Sequence, residues 1–375
     1  FYGDYDVDGM SATSIYLSFF RALGANASAY VPHRVREGYG LNEGAIRTLA
    51  AEGVALLVTS DCGTTSHREI ALANQLGMEV IVTDHHQTDE TMPPALAVMN
   101  PHRQGAEYPF RGLCSGGLAY KVAGAYAAKY GAGELPLESL LDLVALSTIA
   151  DVVPLKDENR MFVREGLAQI TRGARCGIRA LKQVSGVTAA CTAETVAFKL
   201  APRLNAAGRL EHAITGVHLL TTDSDAEAKH LAEELDQLNR ARQRLESEIM
   251  REALAQVDED KLPGAIVLAS RRWHLGVVGI VAARLVERFH RPAVVIAVNE
   301  RGVGKGSART VPGFDLYQGI ATCRELVMAF GGHPSAAGVT IAENRLPEFA
   351  ERFAAVARQW ALQARSVSAL HLDSE

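Results

Sequence analysis

The chain has 375 residues, 48% of them hydrophobic and 22% charged, with a net charge of −5 at pH 7. That length can hold two or three domains with full cores, and the balance excludes a disordered or fibrous chain. No run of eighteen apolar residues occurs, so no membrane span is expected.

No secretory leader is visible. Five scattered cysteines (Cys62, Cys114, Cys176, Cys191 and Cys323) form no C-x-x-C pair. They argue against a zinc ribbon or a disulfide framework and fit a reducing, cytoplasmic setting. Residues 1–261 hold 25 basic and 34 acidic side chains, and residues 262–375 hold 13 and 9. An acidic part suits cations and a basic part suits a polyanion. The chain opens on Phe1 and enters a motif at once, so sequence upstream is expected.

In chain order, the first element reads as a strand bearing Asp4, Asp6 and Asp8 ahead of Gly9. Alternate residues of a strand face the same way, so three carboxylates are expected to crowd one spot. A cation would relieve their repulsion, and hard oxygens suit Mg²⁺ or Mn²⁺. An EF-hand calcium loop is disfavoured, because its twelfth position is Ile15 rather than glutamate.

Residues 11–23 are predicted helical with Ser11 as N-cap. Then follow a strand at 28–31, a helix at 42–52, a strand at 54–59, a helix at 66–77 and a strand at 79–83. Continuous apolar strands between amphipathic helices indicate a parallel sheet covered on both faces, with ligands beyond the carboxyl ends. These strands end in Asp4–Asp8, in Asp61 and in Asp84-His85-His86, and an apolar helical run at 140–150 leads to Asp151.

Residues 160–220 read as short helices carrying basic residues, and 225–257 as one long connecting helix broken by Leu262-Pro263-Gly264. A second domain then shows a strand at 265–269, a helix from the Gly-rich start at 275–279 to about Phe289, and a strand at 293–298. Beyond these lie a glycine- and serine-rich turn or strand at 302–310, a Gly-Gly-His turn entering a strand at 331–341, and a helix at 346–365. The expected fold class is α/β. A parallel-sheet catalytic domain with a helical insert (1–224) is joined by a connector helix (225–261) to a smaller α/β substrate-binding domain (262–366), and residues 367–375 open a further segment.

Asp4-Tyr5-Asp6-Val7-Asp8-Gly9, Asp61, Asp84-His85-His86 and Asp151 resemble the four motifs of the DHH phosphoesterase superfamily. The stretches Trp273–Arg284, Gly304-Lys305-Gly306-Ser307-Ala308-Arg309 and 331–338 look like its companion DHHA1 domain. Tyr39-Gly40-Leu41-Asn42, Asp151-Val152-Val153-Pro154-Leu155, 202–209 and Asn239-x-x-Arg242 are similar to the RecJ family of single-strand-specific 5′→3′ exonucleases. The resemblance covers nearly the whole chain. It implies phosphodiester hydrolysis in DNA repair and recombination, single-stranded DNA as partner, two divalent ions (Mn²⁺ or Mg²⁺), and a monomer. Single-strand-binding protein and a RecQ-type helicase would be further partners, and a C-terminal nucleic-acid-binding module would lie beyond these residues.

Two divalent ions about 4 Å apart can hold the attacking and leaving oxygens of a phosphodiester. Asp61 is the candidate bridge. One ion would take Asp6 and Asp61, the other Asp8, Asp61, His85 and Asp151. His86 would stand behind them or touch the phosphate, and Asp4 would orient ligands or bind from outside. Water activated by the ions would be the nucleophile, with no covalent intermediate. The family commonly has a histidine where Tyr2 stands, so the first ion is expected to be held less tightly or to rely on Asp4 and water.

In the second domain Ser307 and Arg309 are expected to form a phosphate site that Gly304 and Gly306 open to backbone approach. The G-x-G-K-G-S stretch is not a Walker A loop. His333 would face the scissile phosphate. Arg203, Asn205, Arg209 and Arg34 are expected to line the substrate groove, and the other histidines to be structural.

A narrow passage between two domains would admit one strand and exclude a duplex. With aromatics at only 6%, backbone contacts should dominate, giving little base preference and strong salt dependence. The rivals are a small-substrate DHH phosphodiesterase, cleaving an oligoribonucleotide, a bisphosphorylated nucleotide or a cyclic dinucleotide, and a catalytically inactive replication scaffold. A family-II pyrophosphatase is disfavoured by residues 331–338.

Overall fold

The structure, a computed structural model, describes residues 1–363. The described residues divide into two compact units, Phe1–Arg240 and the part from Ala241 onward. The segment expected at 367–375 and the last residues of the helix expected at 346–365 lie outside the described residues.

In the first unit β1 (Tyr2–Gly3), β2 (Leu56–Ser60), β3 (Glu79–Thr83) and β4 (Ala97–Met99) form one sheet in that order, every pair parallel. The apolar runs at 54–59 and 79–83 supply β2 and β3. The strand expected at 28–31 is only a single bridge between Tyr30 and Tyr2.

The three aspartates do not share a strand. β1 stops at Gly3, and α1 (Val7–Ala22) begins inside the motif with Asp6, not Ser11, as its N-cap. Asp6 Oδ1 accepts hydrogen bonds from the N–H groups of Asp8 (3.0 Å) and Gly9 (3.1 Å). Aspartate caps as well as serine does, and a start at Asp6 puts Val7 and Met10 in the core while Ser11 is buried inside the helix. A Cβ at Gly9 would stand 2.5 Å from both the N and O of Asp4, so only glycine lets the helix approach the preceding turn this closely.

Successive residues of β2 serve two cores, as the pleat requires. Leu57 packs with Ile46, Leu49 and Ile70 from α2 (Glu43–Ala51) and α3 (His67–Gln75). Val58 packs against a second cluster containing Met10, Ile15, Phe19, Leu143 and Leu146. That cluster is built by α1, α4 (Ser115–Tyr130) and α5 (Leu141–Ala150). α5 is buried through Leu141–Ile149, and its Asp142 is neutralised by both arms of Arg175 (2.8 and 3.1 Å).

Beyond it, α6 (Asp157–Arg172) and α7 (Cys176–Val184) precede α8 (Ala193–Thr195). A π-helical turn, Val196–Leu200, then leads into α9 (Ala201–Leu210), followed by α10 (Ile214–Thr221). The division between the units falls within α11 (Asp225–Ala255).

In the second unit β5 (Ile266–Ser270), β6 (Ala293–Val298), β7 (Val303–Arg309), β8 (Ala329–His333) and β9 (Ala336–Ala342) make a mixed sheet in the order β5-β6-β7-β9-β8. Only β5 and β6 are parallel. α12 (Leu275–Phe289) packs on β6 and β7, while α13 (Leu316–Ala321) and α14 (Leu346–Gln363) share a core of Phe349, Phe353, Leu316 and Ile341.

Candidate metal centre

The parallel register builds the site. Gly3 pairs with Ser60, and Ser60 with Thr83, so the next residues, Asp4, Asp61 and Asp84, line up beyond the carboxyl ends of β1, β2 and β3. Each is tied across the ladder: Asp4 N–H to Ser60 O (3.2 Å), Asp61 N–H to Thr83 O (3.1 Å) and Asp84 N–H to Met99 O (3.1 Å). Neighbouring strands lie about 4.8 Å apart, which sets the spacing of the carboxylates. Asp6 and Asp8 arrive from the first turn of α1, and Asp151 from the end of α5.

Asp8 is buried and fully engaged. Its Oδ2 accepts from Ser115 N–H (2.8 Å), and its Oδ1 from Gly116 N–H (2.9 Å) and from the Ser147 hydroxyl. The start of α4 thus presents its free amides to a carboxylate, as helix N-termini do for anions. Asp61 sits at φ 68°, a left-handed conformation that aspartate tolerates better than most residues. The turn is braced by the Thr59 hydroxyl donating to Cys62 O (2.8 Å) and the Tyr39 hydroxyl donating to Asp61 O (3.2 Å). Ser115 Oγ donates to Asp61 Oδ1 (3.0 Å). The Tyr39 ring is exposed while its hydroxyl reaches into the site.

His85 supplies the central nitrogen. Its Nε2 is buried and makes no hydrogen bond. It lies 3.2 Å from Asp61 Oδ1, 3.4 Å from Asp8 Oδ2 and 3.6 Å from Asp151 Oδ2. His86 faces the other way: its Nδ1 pairs with Asp84 Oδ1 (2.8 Å), which also accepts the N–H groups of His85 (2.8 Å) and His86 (3.1 Å). Burial alone would lower the His86 imidazole, but the Asp84 hydrogen bond outweighs it and pushes it up to about 9. Burial likewise opposes Asp84, yet the bonds from His86 and Thr64 hold its carboxyl well below the usual range. Asn100, which donates to His86 O (2.9 Å) and Thr64 Oγ1 (3.0 Å), locks this corner.

The remaining carboxylates are not neutralised by the protein. Burial first, and then the Asp6 charge, raise Asp4 far above the carboxylate range. Burial and the Asp8 charge do the same to Asp61, and they push Asp151 up to about 8. Asp4 Oδ1 has no hydrogen-bond partner.

Three overlapping sets of ligand atoms, each within 4.8 Å of one another, result: Asp4, Asp6 and Asp61; Asp8, His85 and Asp151; and Asp61, His85 and His86. Crowded oxygens, one orphaned imidazole nitrogen and mutual repulsion are what a pair of hard divalent cations would resolve. The residues fit such ions, with Asp61 and His85 joining the sets.

The eight acids and histidines of the predicted motifs, Asp4, Asp6, Asp8, Asp61, Asp84, His85, His86 and Asp151, converge here. Asp4 stands within ligand distance of Asp6 and Asp61 rather than outside them. Tyr2 offers no ligand: it is fully buried, donates to Gly40 O (2.9 Å) and accepts from Asn42 Nδ2 (3.2 Å). Arg34 reaches the neighbourhood, with its guanidinium stacked 3.8 Å over the Tyr5 ring, its Nε donating to Gly208 O (3.0 Å), and its charge lowering Asp4. Arg209 also bears electrostatically on Tyr5.

Two other residues expected in the groove have partners within the protein. Arg203 is committed to Asp236 (2.9 Å) and Lys199 O (2.6 Å), because α9 lies against the acidic face of α11. The Asn205 side chain accepts from Val7 N–H (3.2 Å) and so satisfies an open amide at the start of α1.

In the second unit Ser307 and Arg309 lie on strand β7, and both abut Gly279 in α12, where a Cβ would stand 3.2 Å from Ser307 Oγ and 3.4 Å from Arg309 Nη2. Gly304 and Gly306 do not open the backbone to an anion: a Cβ at either would meet Ile296 of the neighbouring strand, at 2.6 and 2.5 Å. Gly331, Gly332 and His333 are strand, not turn. They form the exposed end of β8, where Gly332 is required because a side chain would strike Ala337. His274 caps α12, its Nδ1 accepting from Gly276 N–H (3.1 Å).

Ser115, Gly116, Ser147 and Tyr39 escaped the sequence reading as site residues. The signal was present in Cys114-Ser115-Gly116-Gly117, a capping residue followed by small ones, as at an anion-binding helix start.

A family model described as DHH family, N-terminal domain, matches residues 1–148, and one described as DHHA1 domain matches 262–359. The single-stranded-DNA-specific exonuclease RecJ of Bacillus subtilis strain 168 is 44% identical over 359 residues, which cover 95% of this chain and 45% of that protein. A crystal structure of exonuclease RecJ bound to manganese is 38% identical with a TM-score of 0.85, covering 98% of this chain and 91% of that one. The chain belongs to the RecJ family. A RecJ structure from Thermus thermophilus in complex with Mg²⁺ matches at 34% identity and a TM-score of 0.75, over 96% of this chain and 49% of that one. The chain spans 45–66% of the length of the curated RecJ relatives it matches. Membership makes the strand-end cluster comparable with proteins whose structures hold Mn²⁺ or Mg²⁺. Among the described residues no helix is long and apolar enough to cross a membrane.

Proposed function

We propose that this chain is a metal-dependent exonuclease that removes nucleotides from single-stranded DNA in the 5′→3′ direction. The observation that carries the reading is the unpaired His85 Nε2 facing three carboxylates from three separate elements, in a RecJ-family chain. Asp4, Asp6 and Asp61 would hold one divalent cation, and Asp8, His85 and Asp151 the other. Mn²⁺ or Mg²⁺ bound there supplies Lewis-acid polarisation of the phosphate and a more acidic water.

The protein's own part is positioning. Ser115 and Gly116 fix the Asp8 and Asp61 oxygens, so little reorganisation follows when charge develops. Asp84 accepts from Nδ1 of His86, which fixes that ring beside the carboxylate cluster and pushes its imidazole up to about 9. Arg34 and Arg209 would take phosphate oxygens of the strand, and the Ser307–Arg309 pair beside α12 is a further candidate phosphate contact. In this reading 1–224 is catalytic, 225–261 connects, and 262–366 binds substrate.

The test is digestion of 5′- and 3′-labelled single strands and duplexes with Mn²⁺, with Asp61→Ala as control. Loss of the 5′ label first, only from single strands, only with metal and only with Asp61, is expected. Release from the 3′ end first overturns the polarity. Cleavage of dinucleotides but not oligonucleotides gives the small-substrate phosphodiesterase instead.

A further inference from the structure

The loop that follows Asp151 has a property the proposed chemistry does not use. Asp151 turns its carboxylate toward His85, but the next residue, Val152, is 86% exposed, the most exposed large apolar side chain among the described residues. Val152 also sits at φ 58°. A β-branched residue in the left-handed region is a true outlier, strained by about 1–2 kcal/mol. Asp157, five residues on, is left-handed as well (φ 45°). Pro154 and Leu155 between them are exposed too.

The loop is nonetheless fastened. Asn159, fully buried at the start of α6, donates from Nδ2 to Pro154 O (3.0 Å) and to Gly112 O (2.6 Å). An apolar loop held in a costly conformation, open to solvent one residue from a ligand, is strain kept at a functional site.

We infer that Val152 is a specificity-determining contact for the proposed nuclease: its side chain packs on the face of the nucleobase next to the scissile phosphate. The inference rests on the exonuclease reading. The contact is apolar and has no hydrogen-bonding atoms, so it takes any base and disfavours a nucleotide that lacks one. It supplements backbone recognition without adding sequence preference. Burying about half of a valine side chain against a base corresponds to roughly a fivefold effect on kcat/KM.

The experiment compares ordinary single strands with strands carrying a tetrahydrofuran abasic nucleotide at the terminal or second position, for wild type, Val152→Gly and Val152→Asn. Both replacements accept φ near 58°, so folding and Mn²⁺ affinity should be retained. The wild type should cleave abasic strands about fivefold more slowly. Both variants should be slowed by a similar factor on ordinary strands and show no further penalty on abasic ones. Metal-dependent cleavage by the wild type secures the underlying reading, whatever the variants do. Variants as fast as wild type on ordinary strands, or penalties that multiply, overturn the inference. So does a loss of Mn²⁺ affinity, which would make Val152 a support for Asp151 only.

Discussion

Ser115→Ala is the sharpest test of how the site is held. The side chain is buried, and its hydroxyl donates to Asp61 Oδ1 at 3.0 Å, while its backbone N–H serves Asp8. Alanine keeps the backbone bond and the helix start, so the substitution isolates one charge-assisted hydrogen bond. Such a bond contributes about 1.5–3 kcal/mol, and each 1.4 kcal/mol or so is tenfold in an equilibrium constant. The Mn²⁺ concentration for half-maximal activity should therefore rise about 10- to 100-fold, the usual range for groups that orient metal ligands. Activity at saturating Mn²⁺ should recover most of its wild-type value, because no ligand is removed. The measurements are a Mn²⁺ titration of strand degradation and a calorimetric Mn²⁺ titration without DNA. An unchanged midpoint in both would refute the view that Asp61 depends on α4 for its orientation.

The metal-free protein should lose stability as pH rises. Asp4 and Asp61 are raised well above their usual values and Asp151 to about 8, so the folded state retains protons that the unfolded chain releases near pH 4. His86, raised to about 9, adds to the loss from about pH 6.5 upward. Thermal melting should fall between about pH 4 and pH 8, and saturating Mn²⁺ should flatten the profile; a flat metal-free profile contradicts the repulsion. Arg203→Met should lower stability by about 1 kcal/mol, because Arg240 stays paired with Asp236, yet leave the salt slope of DNA binding unchanged, whereas a lost phosphate contact would reduce that slope by about 1. Gly9→Ala should destabilise by about 3 kcal/mol or more in a denaturant titration, because its Cβ meets the Asp4 backbone, and a variant as stable as wild type would show that the turn can give way.

The parts legible in the sequence were those with strong local signals. The apolar runs at β2 and β3, the uninterrupted hydrophobic α5 and the amphipathic α11 each announce themselves, and acids and histidines at their ends place the site. The α4 helix did not. Its sequence, with Gly116, Gly117 and Gly124, has neither good helix formers at its start nor a clear apolar stripe, and its helical state is imposed by packing on α1 and α5. Missing α4 also meant missing Ser115 and the amides that seat Asp8.

The partners of Arg203 and Asn205 were hidden for a related reason. A polar side chain looks available until its partner is known, and those partners, Asp236 and Val7, stand 33 and 198 residues away in the chain. The glycines of β7 show the same blindness. Their bareness accommodates Ile296 across the sheet rather than an anion.

The register that aligns Asp4, Asp61 and Asp84, completed by Asp151 from another helix, has a bearing on biosynthesis. A nascent polypeptide released before Asp151 is added would carry Asp4, Asp6 and Asp61 but lack one wall of the second cation's cradle. Under the proposed activity, the second metal site would be complete only once α5 and Asp151 have been added to the elements that carry Asp8 and His85.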